Sequence, residues 1–225
     1  MESKLYLVST PIGNYNDVTL RALDILRSVD RIVCEERKEA LRFLSRHNIK
    51  KELIELNEHN ESDISAEIHA LIMKGESVAL ISDCGTPVFS DPGRQLVELC
   101  VNTGVEVIPV PGANSLLPAL VGSGLVIDSF YYYGWLPQKK DLRRKELMKL
   151  KSVPELLVIL DTPYRLKTLL TDIVKIFGEK KKTVIAFQLT MNDEKFYRGN
   201  AGGILKIAEA QSLKGEFVLL LDNRL

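Results

Sequence analysis

The sequence predicts an α/β protein organised as two α/β domains, and three observations carry that prediction. Apolar runs of strand length alternate along the chain with stretches of helical period. Glycine-containing loops follow three of those strands. A stretch rich in proline and glycine, 109–124, divides the alternation in two. The domains are expected at 1–117 and 118–225, and 225 residues suffice for each to bury a core without disulfides or structural metal.

In order, Lys4 to Ser9 reads as a strand. Leu20, Leu23, Leu26 and Val29 share one face of a helix from Asp17 to Val29, with Asn16 or Asp17 placed to cap it. Arg31 to Cys34 is the second strand, followed by the helix-forming EERKEALRFLSRH. A third helix starts near Ser62 or Asp63, runs along Ile64, Ile68, Leu71 and Ile72, and stops at Gly75. SVALIS is a strand, Asp91-Pro92 opens a helix that ends at Gly104, and VEVIPV is the next strand. In the second half FYYYG, ELLVIL, TVIAFQL and EFVLLL read as strands. Helices over QKKDLRRKELMKLK, about 163–177 and about 203–212 separate them.

Composition narrows the class further. With 45% hydrophobic residues and 14 Gly, the chain is neither disordered nor collagen-like. Thirty Lys+Arg balance 30 Asp+Glu, so the net charge of zero excludes a protein that coats nucleic acid, and any such contact must be local. Cys34, Cys84 and Cys100 form no C-x-x-C pair, as expected of reduced thiols in a cytoplasmic protein. His47, His59 and His69 have no metal-ligand spacing, so no metal is expected. The apolar run after Lys4 is too short for a signal peptide. Residues 107–127 lack charge but are interrupted by Pro109, Pro111, Gly112, Pro118, Gly122 and Gly124, so no membrane helix is expected there.

The three loops are Thr10-Pro11-Ile12-Gly13-Asn14, Ser82-Asp83-Cys84-Gly85-Thr86-Pro87 and Pro111-Gly112-Ala113-Asn114-Ser115. All belong to the carboxyl edge of their strands, where open α/β sheets bind ligands, and glycine lets backbone approach a ligand closely. Helix N-termini beyond them offer N–H groups to an anion. G-x-G-x-x-G, the P-loop pattern and G-x-S-x-G are all absent. Asn57-Glu58-His59-Asn60-Glu61 is a dense polar cluster, readable as an exposed capping loop or as part of a site.

TPIGN with DVTLRALDILRSVD, CEE, NEHNE, VALISDCGTPVFSDPG, VIPVPGANSLLPAL, GWLP and GEFVLLL together resemble the tetrapyrrole-methylase superfamily of S-adenosylmethionine-dependent methyltransferases. Within it the chain is most similar to the branch that 2′-O-methylates a cytidine of small-subunit ribosomal RNA. The resemblance spans nearly the whole chain. It implies two α/β domains with S-adenosylmethionine in a cleft between them, a homodimer, and ribosomal RNA or the small ribosomal subunit as partner. By the same resemblance Pro11, Gly13 and Asn14 border cofactor and acceptor. Ser82, Asp83, Gly85, Thr86 and Pro87 wrap the methionine portion, and Pro111, Gly112 and Ala113 lie beneath it. The segment around Gln188, Leu189 and Thr190, with Gly215, sits near the adenosine. Asp83 is read either as the cap of its own turn or as a polar contact to ligand or acceptor.

Methyl transfer is an in-line displacement, so positioning supplies much of the acceleration and a base helps a weakly acidic ribose hydroxyl. Glu35, Glu36 and Lys38 follow the second strand on the same edge and are the candidates for acceptor positioning or proton handling. Their alternative is the solvated first turn of a helix, where acids favour the dipole. Asn14, His59, Asn60, Arg143 and Arg144 are the candidate substrate contacts. The last two belong to a basic run, Lys139, Lys140, Arg143, Arg144, Lys145, Lys149 and Lys151 against Asp141 and Glu146, which reads either as a phosphate-attracting stretch or as a solvated helix face.

The chain departs from the family pattern near the acceptor. C-E-D-T-R is here Cys34-Glu35-Glu36-Arg37-Lys38, E-S-P-H-R is Asp161-Thr162-Pro163-Tyr164-Arg165, R-E-L-T-K is Phe187-Gln188-Leu189-Thr190-Met191, and the first His of H-x-H-N-E is Asn57. The C-terminal extension typical of the ribosomal RNA enzymes is not expected after EFVLLLDNRL. Two alternatives accompany the RNA reading: a methyltransferase acting on a tetrapyrrole or other small molecule, against which the TPIGN loop speaks, and a non-catalytic cofactor-binding module, which the altered CEERK and FQLTM segments motivate.

Overall fold

The computed structural model describes residues 4–224. The chain divides into two compact units, Met1–Asn114 and Ser115–Leu225.

The first unit is a five-stranded parallel sheet. Its elements are β1 (Lys4–Val8), α1 (Leu20–Ser28), β2 (Arg31–Cys34), α2 (Arg37–Arg46), β3 (Glu52–Glu55), α3 (Glu61–Met73), β4 (Val78–Ile81), α4 (Arg94–Asn102) and β5 (Glu106–Val110). The strand order is β3-β2-β4-β1-β5. Side chains alternate across it: Val8, Ile32, Cys34, Ala79 and Ile81 pack under α1 and α2, while Leu5, Val33, Val78 and Leu80 pack under α3 and α4. Every residue of β4 is therefore buried, which is why it reads as an unbroken apolar run rather than an alternating one.

Helix starts differ from expectation in two places. Thr19, not Asn16 or Asp17, caps α1, its Oγ1 accepting from Ala22 N at 3.1 Å; Tyr15–Asp17 form a separate 3-10 turn. The fourth helix begins at Arg94 rather than at Asp91-Pro92. Asp91 is engaged elsewhere, accepting from Ser82 Oγ at 2.6 Å, and the helix start is capped from outside by Glu61, whose Oε1 accepts from Gly93 N (2.9 Å) and Gln95 N (3.0 Å).

The second unit comprises α5 (Leu116–Gly122), β6 (Phe130–Trp135), α6 (Lys140–Leu150), β7 (Leu156–Asp161), α7 (Leu166–Phe177), β8 (Lys182–Phe187), β9 (Lys195–Asn200), α8 (Ala201–Ala210) and β10 (Phe217–Asp222). Its sheet, β6-β7-β10-β8-β9, is mixed: β6 and β7 are parallel, and β10 runs antiparallel to both β7 and β8. The alternation of strand and helix expected from the sequence breaks at β9, which pairs antiparallel with β8 without a helix between them. That strand lies at the sheet edge and buries Tyr197 alone, leaving Lys195, Arg198, Gly199 and Asn200 exposed, so its apolar signal is weak. Helices α6, α7 and α8 cover one face over Leu157, Ile159, Leu219 and Leu221, and α5 packs against β10.

Candidate active site

At the carboxyl edge of the first sheet, β1 has β4 on one side and β5 on the other, and the three glycine loops leave these three strands together. Thr10 and Gly85 form an antiparallel bridge, Thr10 N donating to Gly85 O at 2.8 Å and Gly85 N to Thr10 O at 3.2 Å. Thr10 Oγ1 donates to Ser82 O at 2.9 Å, and Ser9 Oγ lies 3.1 Å from Thr86 Oγ1. Ser9 N donates to Val110 O at 3.3 Å, which ties the third loop to the first.

Glycine is required where these loops meet. Gly85 has φ +90°, and a Cβ there would lie 3.3 Å from Ile12 Cγ2, 3.7 Å from Ala113 O and 4.0 Å from Asn114 Cα, so all three loops converge on this one residue. A Cβ on Gly112 would stand 2.8 Å from Ser9 Cβ. Pro87 is buried beneath this junction, whereas Gly13, Asn14, Thr86 and Pro111 reach the surface. Asn14 Oδ1 accepts from Asn16 N at 3.0 Å and so shapes the end of its loop.

The carboxylates beside the loops divide into distinct roles. Asp83 neither caps its own turn nor stands apart: its Oδ1 accepts from Glu36 N at 3.2 Å, linking the loop after β4 to the one after β2. Glu36 and Lys38 are exposed around the first turn of α2. Glu35 differs. It is partly buried, and burial together with the neighbouring Asp91, Asp83, Glu58 and Glu36 carboxylates pushes its pKa up to about 6. That is a carboxylate poised near neutrality beside the loop junction. Asp91, expected to open a helix, instead holds Ser82 Oγ, which in turn accepts from Cys84 N at 3.1 Å. Its signal lay in SDCGTPVFSDPG itself, with the second Asp nine residues from Ser82.

The other expected contacts differ in their surroundings. Asn60 Oδ1 accepts from Asn57 N at 2.8 Å and its Nδ2 donates to Glu55 O at 3.2 Å, so the side chain builds the turn before α3. His59 is exposed in that same turn, its N–H donating to Asn57 Oδ1. Arg143, expected as a phosphate contact, is 2% exposed and pairs with Asp172 at 2.7 Å, so the packing of α6 on α7 consumes it. Arg144 remains partly exposed, its Nε 2.7 Å from Asp172 Oδ1. In the second unit Gln188 and Thr190 both have positive φ, and Gln188 N donates to Glu216 O at 2.8 Å. Gly215 packs directly against Gln188, so a side chain there would collide with it; Leu189 is buried in the same turn.

Residues 4–205 match the family described as Tetrapyrrole (Corrin/Porphyrin) Methylases. The chain belongs to that family. Among its relatives, a protein named ribosomal RNA small subunit methyltransferase I from Halalkalibacterium halodurans is 37% identical over 97% of this chain and 75% of its own length. The Thermotoga maritima protein of the same name is 38% identical over 98% of this chain and 99% of its own. Solved structures agree on the fold: uroporphyrin-III-C-methyltransferase from Thermus thermophilus, at 20% identity, gives a TM-score of 0.64 over 98% of this chain and 94% of its own. Diphthine synthase, at 16% identity, gives 0.75 over 97% and 89%. As a tetrapyrrole methylase the chain is a methyltransferase, and the family implies S-adenosylmethionine as methyl source. Among the described residues, no group of His, Cys, Asp and Glu is arranged to hold a metal, and no helix is long and apolar enough to cross a membrane.

Proposed function

We propose that this tetrapyrrole methylase transfers a methyl group from S-adenosylmethionine to a ribose 2′-hydroxyl of small-subunit ribosomal RNA in the cytoplasm, as a homodimer. The observation that carries the catalytic part is the convergence of three backbone-lined loops on Gly85 beside the raised carboxylate of Glu35. The RNA part is supported by relatives named for ribosomal RNA methylation that match 97% and 98% of the chain.

The first unit suits such a cofactor. The closeness of the neighbouring loops at Gly85 and Gly112 leaves little room for side chains and brings the three loop backbones together at the strand ends, where open α/β sheets bind their ligands. Pro11, Gly13, Ser82, Asp83, Thr86, Pro87, Pro111 and Ala113 complete its walls. When bound, S-adenosylmethionine supplies an electrophilic methyl on a sulfonium centre. Glu35 would accept the proton of the ribose hydroxyl as its oxygen takes the methyl group, the sulfonium S–CH3 bond breaking to leave a neutral thioether. Asp83, anchored on Glu36 N–H, keeps the Glu35 segment against the loop after β4.

The test compares ribosomal RNA from cells with and without this gene by mass spectrometry of 2′-O-methylated nucleosides. One ribose methyl mark absent from the small-subunit RNA of the deletion strain, and restored by the wild-type gene but not by Glu35→Gln, is the expected result. An unchanged methylation pattern overturns the RNA assignment.

A further inference from the structure

The carboxyl ends of the parallel pair β6 and β7 carry a feature that the loops of the first unit do not explain. Tyr164, just after β7, is 78% exposed, the most exposed aromatic side chain among the described residues. Lys214 Nζ lies 4.5 Å from its ring centroid. Trp135, the only tryptophan of the chain, ends β6 and is 48% exposed. The β6–β7 register shifts between Tyr132 and Gly134, after which Trp135 lies opposite Leu160 of β7.

The backbone beneath these rings is pinned by two guanidinium groups. Arg165, paired with the buried Asp161, donates from Nη2 to Leu136 O at 3.4 Å. Arg143, paired with the buried Asp172, donates from Nη1 to Gln138 O at 3.3 Å. Burying two ion pairs carries a desolvation cost, and here they hold rigid a segment whose outer side chains are aromatic and cationic. Lys139 and Lys140 follow directly and are exposed. Lys149 is bonded to Glu146 at 2.7 Å, whereas Lys139 and Lys140 at the start of α6 and Lys214 before β10 are exposed on the side of the sheet where β6 and β7 end.

We propose that this edge is a contact surface for single-stranded RNA, on which Tyr164 and Trp135 stack bases while Lys214, Lys139 and Lys140 meet phosphates. Exposed rings flanked by lysines suit an unpaired strand, whose bases offer their faces, and not a duplex, whose bases are already stacked. A pre-set surface also binds with little ordering cost. The inference rests on the RNA reading above and adds which surface of the second unit receives the strand.

The test measures binding of a labelled single-stranded ribosomal RNA oligonucleotide, and of its duplex, over a series of salt concentrations. Wild type is compared with Tyr164→Ala, Tyr164→Phe and Lys214→Gln. Tyr164→Ala is expected to weaken single-strand binding by roughly tenfold or more while Tyr164→Phe stays within about twofold. Lys214→Gln lowers the salt slope by about 0.7. The thermal midpoint stays at the wild-type value in all three, because both residues are exposed. If wild type methylates ribosomal RNA and Tyr164→Ala binds the oligonucleotide as wild type does, this surface is wrong and the RNA reading survives. Equal loss in Tyr164→Phe and Tyr164→Ala also overturns the stacking role. Failure of wild type to bind or methylate any RNA overturns both.

Discussion

The Arg143 guanidinium meets the Asp172 carboxylate between α6 and α7, Nη2 to Oδ2 at 2.7 Å, with side chains only 3% and 1% exposed. Asp172→Ala leaves that cation buried without its charge partner, and removing one member of a buried pair costs about 3–5 kcal/mol. Denaturant unfolding is expected to show a loss of this size for Asp172→Ala. Arg144→Ala, which removes a partly exposed partner of the same carboxylate, should cost no more than about 1 kcal/mol. Equal effects of the two variants would mean that Asp172 is not held chiefly by Arg143.

Gly112 packs against Ser9 with no room for a methyl group. Gly112→Ala must push the third loop away from the first, and a displacement of about 1 Å in a positioning element costs roughly a hundredfold in rate. Calorimetry with S-adenosylmethionine is expected to show weakened binding, and the thermal midpoint should move only slightly because the loop lies outside both hydrophobic clusters of the unit. Wild-type cofactor affinity in this variant removes the loop from the cofactor site.

Glu35 sets a pH dependence of activity. Its pKa in the folded protein is about 6, above the 4.5 of an unperturbed glutamate. The base form therefore accumulates as pH rises through about 6, and kcat should climb over that interval and level off above it. Glu35→Gln is expected to lower kcat by roughly 10²- to 10⁴-fold and to abolish the rise. Stability runs the other way: the native state holds the proton more tightly than the unfolded chain, so stability falls as pH increases from 4.5 to 6 and stays lower above. The Gln variant lacks this fall and is expected to be at least as stable as wild type at neutral pH. A variant that loses activity and stability together would point to a structural role instead.

Cys84 provides a chemical probe of the loop junction. It is exposed, whereas Cys34 and Cys100 are buried with thiols pushed up by that burial to about 12 and about 11. Treatment of the native protein with a maleimide should modify Cys84 alone, as peptide mass spectrometry will read, and should block cofactor binding. Prior saturation with S-adenosylmethionine is expected to slow the labelling. Unimpaired cofactor binding after complete modification would separate Cys84 from the site.

Much of the first unit was legible because its signals are local. The apolar run of β4, the helical period of α3 and the glycine loops after β1, β4 and β5 each depend on neighbours in the chain. The second unit was less legible where an edge strand was concerned: β9 buries one side chain, and nothing in KFYRGN announces that it pairs back on β8. The basic run 139–151 looked uniform, yet it mixes a buried structural arginine with exposed lysines.

By itself the sequence determined the alternation of strands and helices, the places where backbone must come close to backbone, and the residue types available for chemistry, since periodicity and glycine placement act over a few residues. Only the tertiary structure decided what those residues do. Arg143 finds its partner 29 residues away, Glu36 N–H finds Asp83 across 47, and Thr10 finds Ser82 across 72. Burial and charge at such separations arise when elements pack, and that packing raises the proton affinity of Glu35 above that of the ordinary glutamate it is in sequence.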